Sequence, residues 1–134
     1  MYRSHRTDTN NSAHITALEE PYDEAVKEKL ANISDNLYIT PLLFCELYRG
    51  VYLSSKPSND LQLIDALLAS TTLLEFDKVA CKIFGQEFAR LQKAGKTTEE
   101  PNLMIASIAK ANYLILVTRN KKHFENINVK LEIW

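Results

Sequence analysis

The sequence predicts an α/β fold, a mostly parallel central sheet between two layers of helices. Three observations carry that prediction. Short apolar runs alternate with helical patterns along most of the chain, and strands separated by helices pair in parallel with helices on both faces. The segment YLILVT, Tyr113–Thr118, is almost continuously apolar, as a strand buried on both faces must be. Thr40 ahead of Pro41, and Asp77 ahead of Lys78, mark two helix starts.

The elements follow in order. Tyr2–Thr7 occupies the place of a first strand, although YRSHRT has one bulky apolar residue and no alternation. A short helix is expected over Asn11–Leu18, before Pro21 breaks the chain. Tyr22–Ile33 reads as a helix with Val26, Leu30 and Ile33 on one face. Asn36–Ile39 is a short strand. Thr40 caps the next helix, in which Leu42, Cys45, Tyr48 and Tyr52 recur near helical spacing and Glu46 interrupts an apolar run.

A turn at SSKPSND leads to a helix capped by Ser58, with Leu61, Ile64, Leu67 and Leu68 as its apolar positions. Thr71–Phe76 is a strand. Asp77 opens the long helix that ends at Gly95, with Val79, Ile83, Phe84, Phe88 and Leu91 as its stripe. Pro101–Asn112 is the next helix, Asn112 being its left-handed cap. Tyr113–Thr118 and Val129–Trp134 complete the strands.

Length and composition bound the function. The 134 residues suggest one domain over 1–134, large enough to fold without disulfides or a structural metal. The formal charge of −1 does not advertise nucleic-acid binding, but a local basic patch fits within it. Cys45 and Cys81 read as small core residues in a reducing cytoplasm. No apolar run spans a membrane, the first ten residues lack the apolar core of a secretory signal, and three glycines form no phosphate loop.

In sheets of this kind, ligands collect beyond the carboxyl ends of the strands. Asp8 follows the first strand, Glu46 sits in the helix after the second, Asn102 opens the helix before the fourth, and Asn120 follows the fourth directly. Carboxylates gathered there suit magnesium or manganese, which favour oxygen ligands. Such an ion assists phosphodiester hydrolysis. Arg119, Lys121, Lys122 and His123 form a basic run beside this set, suited to RNA phosphates. His5 and His14 have no partner at a recognisable spacing. Tyr48, Val51, Tyr52 and Leu53 divide between core and interface.

TDTN near the amino terminus, ITPLLFCELYRGVY, LLEFDKVACKIFGQEFARLQKAGK and NLMIASIAKANYLILVTRNKKHFENI resemble, in order and spacing, the PIN-domain ribonucleases of the VapC toxin family. The resemblance implies a PIN-like three-layer α/β/α domain, and a cytoplasmic endoribonuclease that uses Mg2+ or Mn2+. It also implies inhibition by a cognate antitoxin and homodimer formation. Carried over by position, the catalytic set is Asp8, Glu46, Asn102 and Asn120. Asp8, Glu46 and Asn102 face the metal, and Asn10, Thr118, Arg119 and Lys121 face the substrate.

Two departures stand out. The family pattern has an acidic residue where this chain has Asn102, an amide with one carbonyl oxygen and no charge. The first strand carries charges where the pattern is apolar. Together they imply weakened or absent activity with the fold retained. The alternative is a catalytically inactive PIN-like module that binds RNA or antitoxin. Glu99 and Glu100, just ahead of Asn102, either complement the helix dipole or join the metal shell.

Overall fold

The computed structural model describes residues 2–5, 12–17, 37–69 and 71–133. Its strands are β1 (Tyr2–His5), β2 (Ser12–Ala17), β3 (Leu37–Ile39), β4 (Thr72–Leu73), β5 (Leu114–Thr118) and β6 (Leu131–Ile133). Its helices are α1 (Pro41–Leu53), α2 (Pro57–Ala69), α3 (Lys78–Lys93) and α4 (Glu100–Ala111), with a 3-10 turn at Lys121–His123.

The main sheet has the order β1-β2-β5-β6. β2 runs parallel to β5, with Ile15 opposite Leu116 and Ala17 opposite Thr118. β6 runs parallel to β5 as well, with Leu116 opposite Leu131. β1 is antiparallel to β2, with breaks in register after Tyr2 and after Arg3. β3 and β4 form a second parallel pair, which the Leu74 N–H extends by donating to the Ile39 carbonyl at 2.8 Å.

Two apolar clusters account for the layers. Leu37, Ile39, Leu43, Leu47, Val51, Ile64 and Leu68 join β3 to α1 and α2. Ala80, Leu91, Leu103, Ile108, Leu116 and Phe124 join α3 and α4 to β5. Tyr38 packs on this second cluster while its neighbours Leu37 and Ile39 belong to the first, as alternation across a strand requires. Each fully buried large side chain contributes about 1.5–3 kcal/mol.

Local chemistry sets the helix ends. The Leu43 N–H donates to Thr40 Oγ1 at 3.1 Å, and the Ala80 N–H to Asp77 Oδ1 at 2.9 Å. Each bond satisfies a donor that the first helical turn leaves open. At the end of α3, Gly95 adopts φ +69°. There Lys96 N–H donates to Leu91 O at 2.9 Å, and Gly95 N–H to Gln92 O at 3.1 Å, the paired closure that a left-handed residue permits.

Several expectations need correction. Ser12–Ala17 is a strand, not part of a helix over 11–18. Ser12, His14 and Thr16 alternate with Ala13, Ile15 and Ala17, and a period of two fits a strand. The parallel place beside β5 therefore belongs to β2, while Tyr2–His5 is an antiparallel strand. The helix expected over 22–33 lies outside the described residues. Ser58 falls inside the first turn of α2, because Pro57 starts it, its fixed φ suiting that position.

The strand expected over Thr71–Phe76 shrinks to Thr72–Leu73. On α1 the buried face is Leu43, Leu47 and Val51, while Tyr52 and Leu53 are exposed. Cys45 and Cys81 are exposed, free thiols rather than core residues, since each sits off the buried stripe of its helix. On α3, Val79 and Phe88 are exposed, and Ala80, Glu87 and Leu91 are buried. The left-handed residue after α4 is Tyr113 at φ 54°, not Asn112. Asn112 instead donates its side-chain amide to the Ile108 carbonyl at 2.8 Å.

Candidate active site at the carboxyl end of the sheet

β5 ends at Thr118, whose residue is fully buried. Its hydroxyl accepts the backbone N–H of Asn120 at 3.0 Å, which bends the chain away from the sheet. The 3-10 turn follows, with His123 N–H donating to the Asn120 carbonyl at 3.2 Å. Phe124, fully buried in the α3–α4 core, fixes this turn to the body of the fold. α4 leads back to the start of β5, so its amino end lies at the same edge of the sheet as Thr118.

Between the amino end of α4 and the 3-10 turn lies a cleft of about 360 Å³. Thr97, Thr98, Glu99, Asn102, Lys122, His123 and Asn126 line it. Thr98 Oγ1 and the His123 carbonyl approach to 3.4 Å across its base. The Asn120 side-chain amide donates to His123 Nε2 at 3.1 Å. Thr118, Asn120 and His123 thus form a linked set beside Asn102.

Asn102 is the decisive residue. It is only 5% exposed and lines the cleft. Among the described residues its side chain has no hydrogen-bond partner. A buried amide left without a partner is costly, so its polar atoms are open to water or a ligand from the cleft. Glu99, at the cap of α4, lines the same cleft and makes no capping bond of its own. Glu100 is exposed in the first turn, where it complements the helix dipole.

The other expected residues divide. Glu46 is half-buried on α1 and is not among the residues lining the cleft. Arg119 and Lys121 are exposed beside the cleft on the bend and the 3-10 turn. Asp8 and Asn10 lie outside the described residues. Thr97, Thr98 and Asn126 were not expected at the site. They sit in loops without periodicity, and only the fold brings them to Asn102.

Among the described residues, no group of three His, Cys, Asp or Glu side chains is placed to hold a metal ion. Asn102 offers an unpartnered carbonyl oxygen, which fits a hard cation, but supplies no charge. Among the described residues the cleft carries one carboxylate, Glu99, and one ammonium, Lys122.

A family model, described as PIN domain, matches residues 7–130. The chain belongs to the PIN domain family. Within that family, VapC proteins are among its relatives. Ribonuclease VapC2 of Haemophilus influenzae is 32% identical over 97 residues, covering 72% of this chain and 74% of the relative. The tRNA(fMet)-specific endonuclease VapC of Shigella flexneri is 28% identical over 111 residues, 82% of this chain and 84% of the relative.

Among solved structures, VapBC2 from Rickettsia felis, bound to a DNA fragment from its promoter, superposes with a TM-score of 0.71 and 26% identity. That match covers 84% of this PIN chain and 87% of the other. The α/β architecture expected from the sequence, with helices flanking mostly parallel strands, is thus the PIN fold.

Proposed function

We propose that this chain is a metal-dependent endoribonuclease toxin of the VapC type with a weakened active site. On this reading it is one PIN domain over residues 1–134. It works in the cytoplasm as a homodimer and is held in check by a cognate antitoxin. Asp8, Glu46 and the Asn102 carbonyl oxygen would hold Mg2+ or Mn2+. When bound, such an ion polarises the phosphodiester and favours hydroxide formation from water.

The chain's own residues have separable tasks. Lys122, with Arg119 and Lys121 beside it, holds the phosphates flanking the scissile bond. Thr118 and Asn120 shape the bend that presents them. Asn10 adds a polar contact to substrate. Asn102 contributes an oxygen but one negative charge fewer than an aspartate, so ion affinity and water activation both fall.

The observation that carries this reading is Asn102 itself, buried and unpartnered among the described residues at the mouth of the cleft. The same observation favours a second reading. The described lining, with two amides, His123, Lys122 and a single carboxylate, Glu99, suits RNA binding without cleavage. Incubating a short single-stranded RNA with the wild-type chain and with Asn102→Asp, in manganese, separates the two. Faster cleavage by Asn102→Asp supports the weakened nuclease. Binding by both proteins with cleavage by neither supports the binding module.

A further inference from the structure

Glu87 is a carboxylate buried on the core side of α3, only 7% exposed. Each of its oxygens has its own cation. Oε2 accepts Arg90 Nη2 at 2.6 Å and Nε at 3.1 Å, and Oε1 accepts Lys110 Nζ from α4 at 2.8 Å. Burial pushes the Glu87 carboxyl up, and the bonds from Arg90 and Lys110 outweigh that and leave it below its ordinary value. The pairing ties α3 to α4, but it does more. Arg90 Nη2 also donates to the Asn126 carbonyl at 2.9 Å, and Asn126 lines the cleft.

Arg90 therefore stands between a buried anchor and the wall of the candidate active site. Its planar fork lets one residue serve the carboxylate and the carbonyl together, which a single ammonium does less well. On the same turn Phe124 is plugged into the core, while Thr98 Oγ1 approaches the His123 carbonyl at 3.4 Å and Asn120 holds the His123 ring at 3.1 Å. Phe124 sets the depth of the turn, and Arg90 sets where its far end lies.

We propose that Arg90 is a positioning residue for RNA binding, which clamps the Lys121–Asn126 turn through the Asn126 carbonyl and so places Lys122 and His123 at the cleft. This rests on the ribonuclease reading only for its ligand. The clamp itself rests on the Glu87–Arg90–Asn126 geometry.

The test compares Arg90→Met with Lys110→Met in the full chain. Each removes one cation from Glu87 and keeps an apolar stem, but only Arg90→Met releases Asn126. Two readouts are taken: exchange of the Phe124 and Ile127 amides, which bond to Lys121 and Phe124 carbonyls, and affinity for a short single-stranded RNA by fluorescence anisotropy. Both variants are expected to lose similar thermal stability. Arg90→Met alone is expected to speed exchange of both amides and to weaken RNA binding roughly three- to tenfold, the net worth of one hydrogen bond.

Equal effects of the two variants on exchange and affinity, or no effect of Arg90→Met on either, overturn the proposal. If Arg90→Met does not fold, Arg90→Lys keeps the Glu87 pair and is read in the same way. If the wild-type chain binds no RNA, the ribonuclease reading falls and takes the RNA role of Arg90 with it. The exchange pattern then decides the clamp alone.

Discussion

The side-chain amide of Asn120 donates to Nε2 of His123 across 3.1 Å. An amide nitrogen has only hydrogens to offer, so the imidazole nitrogen must accept. The contact predicts the tautomer with its proton on Nδ1. Imidazole 15N spectra at pH 8 should show that tautomer in the wild type. Asn120→Asp replaces the donor with an acceptor, and the spectra should move to the tautomer protonated at Nε2. An unchanged spectrum would mean that Asn120 does not orient the ring.

Lys122 lines the cleft and extends the positive charge carried by exposed Arg119 and Lys121 beside it. If it contacts an RNA phosphate, Lys122→Gln weakens binding for all sequences alike. The slope of log affinity against log salt should also become shallower by roughly 0.7, the release of about one counterion from a single strand. Anisotropy titrations at several salt concentrations measure both effects. A lost affinity with an unchanged salt slope would point to damage elsewhere in the turn.

Glu87 makes acid stability predictable in sign. Its folded carboxyl titrates below the ordinary value of 4.5 because the Arg90 and Lys110 bonds overcome the effect of burial. Its contribution is therefore complete above pH 4.5 and fades as the pH falls through the lower folded value. Glu87→Gln should cost about 1–3 kcal/mol at pH 7, and the gap should narrow in strong acid. Urea unfolding of both proteins at pH 7 and pH 3 tests this. A gap that stays constant would remove Glu87 from the acid response.

Thr40→Ala removes the acceptor for the Leu43 N–H and should lower stability by about 1 kcal/mol. Thr40→Ser keeps that acceptor and should lie close to wild type. Chemical denaturation of the two variants provides the comparison. Equal losses would show that the methyl group of buried Thr40, not its cap, is what matters there.

These predictions differ in how visible their causes are in the sequence. Thr40 and Asp77 could be read directly, because a cap acts on residues three positions away. The continuous apolar run of β5 was equally plain. Ser12–Ala17 was harder to read, because its alternation spans just six residues and its pairing reaches Leu114–Thr118, about a hundred positions on. Glu87 carries no such signal beside its apolar stripe, since its partner Lys110 is 23 residues away. At the site, the departure at Asn102 was legible by position. Its company was not, because Thr97, Thr98 and Asn126 come from loops that acquire meaning only beside the folded α4 and the 3-10 turn.

On the proposed reading, Asn102 stands where a third carboxylate would complete a metal site. Calorimetric titration of manganese into the wild-type chain and into Asn102→Asp puts that placement to the test. Restoring the charge should tighten binding by about tenfold or more, with little change in thermal stability before metal is added. Identical manganese affinities for the two proteins would contradict the claim and place Asn102 outside any metal site.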